Sequence, residues 1–97
     1  MQIQVKGYLT FQELLGTRVI EIDQPAATLR DCLQVLKAEI GELFQAQVLD
    51  VQGTDLRPHV ALLLNGQHYR HLENGLDTQV QDGDQLAIFP PVAGGST

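Results

Sequence analysis

The chain has 97 residues, of which 43% are hydrophobic and 19% charged, which suits one small globular domain and leaves no low-complexity interior to suggest disorder. Twelve acidic against six basic residues give a formal charge of −6 spread along the chain, which argues against nucleic acid as a partner, since phosphate contacts need a basic surface; the charge suits either a basic protein partner or simple solubility. The single cysteine, Cys32, excludes a disulfide framework, a cysteine zinc site and a four-cysteine iron–sulfur cluster within one chain.

No apolar stretch approaches the roughly 18 residues a membrane helix requires, and the N-terminus lacks the basic-then-apolar order of a signal peptide, so a cytoplasmic location with no membrane partner is expected.

In chain order, residues from Gln2 to Thr10 alternate loosely, with Ile3, Val5 and Leu9 on one face, and Arg18 to Asp23 repeat the pattern with Val19, Ile20 and Ile22. Two strands joined by a turn near Gly16-Thr17 are the expectation. After Pro25, Thr28 can cap a helix with Asp31 in its first turn, where the helix dipole favours a negative charge. Leu29, Cys32, Leu33, Leu36 and Ile40 then recur at helical spacing, and Gly41 is the expected stop.

Glu42 to Pro58 is the least regular stretch, with Leu43, Phe44, Val48 and Leu49 as core candidates and Gly53-Thr54-Asp55 as a turn. His59 to Leu64 reads as a strand whose continuous Val-Ala-Leu-Leu-Leu run predicts cover on both faces. Asn65-Gly66 is a tight-hairpin signal, and Gln67 to Leu72 is expected to pair back as a shorter strand. Asn74-Gly75 and Asp82-Gly83-Asp84 mark turns, and Gln85 to Phe89 is the last strand. Strand, strand, helix, then three strands fits an α+β fold: a mixed sheet over one main helix, a β-grasp with first and last strands parallel at its centre. One domain over residues 1–97, carrying a flexible C-terminal arm from about residue 90, is the expected organisation.

That arm is the best clue to function. Pro90 and Pro91 lack backbone N–H groups and end the strand, projecting the remaining residues away from the sheet. Gly94 and Gly95 carry no side chain to block a narrow channel. Such an arm suits delivery of a carbonyl to another protein's active site.

The ordered succession Arg57-Pro58-His59-Val60, Leu64-Asn65-Gly66, Leu76-Asp77-Thr78, Asp82-Gly83-Asp84 and Ile88-Phe89-Pro90-Pro91-Val92-Ala93-Gly94-Gly95 resembles the small sulfur-carrier subunit of molybdopterin synthase, the MoaD family. The terminal Phe-Pro-Pro-Val-Ala-Gly-Gly is its specific part. The resemblance implies a ubiquitin-like β-grasp and a carrier cycle. An E1-like enzyme uses ATP to adenylate the terminal glycine, a sulfur donor converts it to a thiocarboxylate, and the arm delivers sulfur inside the large synthase subunit. Gly95 then carries the reacting carbonyl, and Phe89, Pro90, Pro91, Val92, Ala93 and Gly94 meet the partners. The carrier itself binds no metal or cofactor and supplies no catalytic side chain.

One departure from that pattern is that Ser96 and Thr97 follow Gly95. Removal by a processing protease, a remnant unrelated to function and a different role for this copy all remain open. Two other functions stay open beside the molybdenum pathway: a ubiquitin-like protein modifier joined through Gly95, and a sulfur carrier for thiamine, cysteine or tungsten-cofactor pathways. A β-grasp interaction module with no activated terminus is a third.

Of the remaining candidates, His59, His68 and His71 are read as solvated or edge histidines, because strand spacing sends His68 and His71 to opposite faces. Cys32 is read as a small buried hydrophobe, and Asp82-Gly83-Asp84 as a turn without the spaced ligands of a calcium loop. Phe89 stands apart: if Leu86 and Ile88 face the helix, Phe89 points to the other side of the sheet, beside the arm, either covered there by another segment of a curling sheet or free as a docking anchor.

Overall fold

A computed structural model describes residues 1–91. Its elements in order are β1 (Gln2–Gly7), α1 (Phe11–Leu15), β2 (Thr17–Glu21), α2 (Leu29–Ile40), α3 (Glu42–Val48), β3 (Ala61–Leu64), β4 (Gln67–His68) and β5 (Gln85–Phe89), with 3-10 turns at Tyr69–His71 and Gly75–Asp77. The sheet runs β2-β1-β5-β3-β4. β1 and β5 are parallel at its centre, while β2 and β3 flank them antiparallel. The expected mixed sheet over a main helix is therefore present.

Alternation decides which face of the sheet is wet. Ile3 and Val5 on β1, Ile20 on β2, Leu62 and Leu64 on β3, and Leu86 and Ile88 on β5 are buried on the helix side. They meet Leu29, Cys32, Leu33 and Leu36 of α2, which lie at helical spacing on one stripe. Each fully buried Leu or Ile contributes roughly 1.5–3 kcal/mol through area removed from water. Helix α2 starts where the cap was expected: the Thr28 hydroxyl accepts from the Asp31 N–H, and the Asp31 carboxylate accepts from the Thr28 N–H at 2.9 Å. This reciprocal pair satisfies two first-turn donors. Gly41 ends the helix with φ 95°, a conformation costly for any residue with a Cβ.

Several local expectations change. The turn between β1 and β2 contains helix α1, whose Phe11 and Leu15 are buried four residues apart. At five residues it is too short for periodicity to reveal. Gly7 makes it possible, since a Cβ there would collide with the Phe11 carbonyl and sit 2.8 Å from the Leu15 Cβ. Leu9 accordingly leaves the β1 face: its φ is 55° and it is 62% exposed, at the start of the turn into α1. In the stretch expected to be irregular, Phe44 and Val48 are the buried i, i+4 pair of helix α3, with Glu42 favourably placed in its first turn. The strand expected over His59 to Leu64 begins only at Ala61, because His59 has φ 69°, and Ala61 and Leu63 are only half-buried on the outer face.

The hairpin after β3 is as the sequence requires, with Asn65 at φ 50° and Gly66 at φ 88°. Its return strand is shorter than expected. Only Gln67 and His68 pair with β3, after which Tyr69–His71 turns as a 3-10 helix, so His68 and His71 are not on opposite faces of one strand. Their rings come within 5.9 Å of each other.

Candidate functional site: the root of the C-terminal arm

Strand β5 carries the arm, and its placement follows from paired backbone groups at both ends. At its start, the Asn65 and Gln85 backbones and the Asn65 side chain lock together: Asn65 N–H donates to the Gln85 carbonyl at 2.8 Å, and Gln85 N–H donates to Asn65 Oδ1 at 2.9 Å. The Asn65 amide donates to the Asp84 carboxylate at 3.0 Å, and Asp84 also accepts from the Gln81 N–H at 2.7 Å. Gly83, at φ 87°, turns the chain so that its N–H reaches the Gln2 carbonyl. The Asp82-Gly83-Asp84 segment is thus a hydrogen-bonded turn in which Asp82 accepts from the Gln2 N–H. At the other end, the Tyr8 N–H donates to the Ile88 carbonyl at 3.0 Å, holding the strand's exit against β1.

Beyond that exit, Pro90 is buried and Pro91 exposed, so the folded body extends through the first proline. Val92, Ala93, Gly94, Gly95, Ser96 and Thr97 lie outside the described residues.

Phe89 does point to the face opposite the helices, as Ile88 is fully buried on the inner side. It is half-buried there by Tyr8, whose ring lies 4.4 Å away and within 10° of parallel. The Lys6 ammonium sits 5.0 Å from the Tyr8 ring centre, within cation–π range. Register explains the grouping: Lys6 pairs with Ala87, Ala87 with Leu63, and Phe89 with Ala61, all on the outer face. Lys6, Tyr8, Thr17, Leu63, Ala87 and Phe89 line an open concavity of about 530 Å³. An apolar platform of Tyr8, Phe89, Ala87 and Leu63, with Lys6 as its one charged lining residue, therefore stands beside the root of the arm. Tyr8 and Lys6 are functional candidates that the sequence alone does not single out. Alternation along β1 assigns them to the outer face, but only the β1–β5 pairing brings them to Phe89.

The other chemical groups stand apart from this site. Cys32 is fully buried, and its thiol is pushed up to about 12, mainly by burial and further by the nearby carboxylates of Asp31 and Asp84. A thiol so protonated is no nucleophile. His68 Nδ1 accepts from the Arg70 N–H at 3.1 Å, and the group is held below the ordinary histidine range by burial first and then by the charges of His71 and Arg70. Among the described residues no three metal-ligating side chains come together. His59 is exposed. No helix among the described residues is long and apolar enough to cross a membrane.

The comparisons with known proteins agree with this geometry. The ThiS family profile matches residues 8–95. Small archaeal modifier protein 3 of Haloferax volcanii is 37% identical over 97 residues, covering 98% of this chain and 100% of that protein. The crystal structure of SAMP1 from Haloferax volcanii superposes with a TM-score of 0.78 at 28% identity, covering 98% of this chain and 100% of that one. The solution structure of Urm1 from Trypanosoma brucei has a TM-score of 0.78 at 22% identity over 97% of this chain and 95% of that one, a likeness of fold. A central parallel β1–β5 pair and a family match spanning nearly the whole length lead to one conclusion: the chain belongs to the ThiS family and has its ubiquitin-like β-grasp sulfur-carrier fold.

Proposed function

We propose that this protein is a sulfur carrier of molybdenum-cofactor biosynthesis that is adenylated and then thiocarboxylated at Gly95. The observation that carries the reading is the end of β5: this central strand, paired on both sides, finishes next to an apolar platform suited to holding a partner, and Gly94-Gly95 follow it closely in the sequence. A carboxylate is a poor electrophile until adenylation, by forming a mixed acyl-phosphate anhydride, gives it AMP as a leaving group. The activated carbonyl must then be reached by sulfur without hindrance, and Gly95 offers it with no β-carbon while Gly94 keeps the approach slender. Adenylation needs an E1-like partner that supplies ATP, and the arm then serves the large subunit of molybdopterin synthase. Tyr8 and Phe89 anchor both encounters. The Phe89-Pro90-Pro91-Val92-Ala93 sequence supports the molybdopterin pathway over thiamine, cysteine or tungsten-cofactor routes.

The competent form ends at Gly95, because the terminal carboxylate must belong to the unhindered residue. Protein cut after Gly95 and incubated with the E1-like enzyme, ATP and a sulfur source should exchange one terminal oxygen for sulfur, read by mass spectrometry. Equal thiolation of a form that retains Thr97 would overturn the trimming step. Restoration of molybdopterin synthesis with the large subunit, and not of thiazole or cysteine synthesis with theirs, tests the pathway. A second reading, attachment of Gly95 to lysines of other proteins, is favoured by the 37% identity to a relative named as a small modifier. Higher-mass conjugates that persist in denaturant and disappear with Gly95→Val would support it.

A further inference from the structure

A protein whose terminal carboxyl is activated acylates amines, and the amines of its own kind are always at hand. The sequence contains two lysines, Lys6 and Lys37, besides the N-terminal amine. The Met1 ammonium is engaged, donating to the Ile22 carbonyl at 2.8 Å in a partly buried position. Lys37 is half-buried, with its Nζ packed so closely against Gly53 that a Cβ there would sit 2.9 Å from it. Lys6 alone is exposed, makes no salt bridge among the described residues, and holds its amine over the Tyr8 ring at the platform beside the arm.

We propose that Lys6 is an acylation site at which the activated Gly95 of a second copy of this chain is joined; the inference rests on the reading that Gly95 is adenylated. As the one charged residue lining the concavity, Lys6 attracts the anionic acyl phosphate, and the apolar floor gives the incoming arm a surface to lie on. The neutral Nζ attacks the Gly95 acyl carbon. A C–N bond forms, the C–O bond to phosphate breaks, AMP leaves with the electron pair, and the nitrogen's proton passes to water. No oxidation or reduction occurs. The product is an isopeptide-linked pair in which the acceptor's docking platform is covered by the donor's arm. Acylation at Lys6 therefore removes a carrier from the partner-binding pool when activated carrier accumulates without sulfur.

The test incubates protein ending at Gly95 with its E1-like enzyme and ATP, without a sulfur source, and divides the sample. One half receives hydroxylamine, which traps activated Gly95 as a hydroxamate. The other is digested with trypsin, which cannot cut after an acylated lysine. Linkage at Lys6 yields a branched peptide joining residues 71–95 to residues 1–18, whereas linkage at Lys37 joins residues 71–95 to residues 31–70, because Pro58 blocks cleavage after Arg57. The expected result is hydroxamate together with the 1–18 branch. Lys6→Arg, which keeps the charge, should lose the linked species relative to its own hydroxamate yield, and Lys37→Arg should keep it. Hydroxamate with no branch, or with the branch on residues 31–70, overturns the assignment while leaving activation intact. Absence of hydroxamate overturns the activation reading and the inference with it.

Discussion

Adjacent residues at the end of β5 face opposite sides of the sheet, and separating their roles tests the docking site directly. Ile88 is fully buried against the helices, so Ile88→Ala should cost about 2–5 kcal/mol in lost transfer energy and residual cavity. For a domain of this size that is a drop in Tm of roughly 10–30 °C. Phe89 is half-buried and stacked on Tyr8. Phe89→Asp forfeits about half of the roughly 1.5–3 kcal/mol of a buried Phe and about 0.5–1.5 kcal/mol of ring pairing, so it is the milder change for folding. Its effect on binding is the larger one. An unpaired carboxylate forced into an apolar contact costs about 3–5 kcal/mol, more than about a hundredfold in Kd. Urea denaturation and calorimetric titration with the E1-like enzyme, on the same preparations, read both effects. Wild-type affinity in folded Phe89→Asp would refute the platform as the docking surface, and unfolding of Phe89→Asp beside a stable Ile88→Ala would refute the strand register.

Gly7→Ala places a methyl group against the Phe11 carbonyl and Leu15, so α1 must shift, at about 1–3 kcal/mol, visible as a lower urea midpoint. An unchanged midpoint would mean that α1 is not packed on β1 as described. Cys32, protonated and fully buried, should react with a thiol reagent only through unfolding; native-state labelling as fast as that of a free thiol would contradict its burial. His68 is harder to protonate in the folded state than in the unfolded chain. The unfolded state therefore binds the extra proton first, and stability is undiminished by this group above the ordinary histidine range near about 6.5 and falls as pH drops through it. Urea midpoints measured across that range should decline less for His68→Gln than for the parent, and identical slopes would count against the effect.

Much of this molecule was legible in its residues. Thr28, Asp31 and the Leu29-to-Ile40 stripe define α2 because capping and helical periodicity are local properties that no distant contact needs to supply. Asn65-Gly66 is legible for the same reason, since positive φ at both positions is a demand of the turn itself. Alternation in β5 assigned Ile88 inward and Phe89 outward, and the Phe-Pro-Pro-Val-Ala-Gly-Gly ending carried the resemblance to a sulfur-carrier family.

What the sequence did not contain was adjacency. Helices α1 and α3, of five and seven residues, are too short for their own hydrogen bonds to stabilise; they exist because Phe11, Leu15, Phe44 and Val48 find the common core. The shortening of β4 likewise depends on a 3-10 turn that no local pattern announces. Tyr8 and Phe89 are 81 positions apart, and only the parallel pairing of the first and last strands stacks them and brings Lys6 alongside. Local rules determined which face each side chain takes, whereas the order of strands in the sheet, set by which apolar faces can be buried together, decided which of those side chains became neighbours.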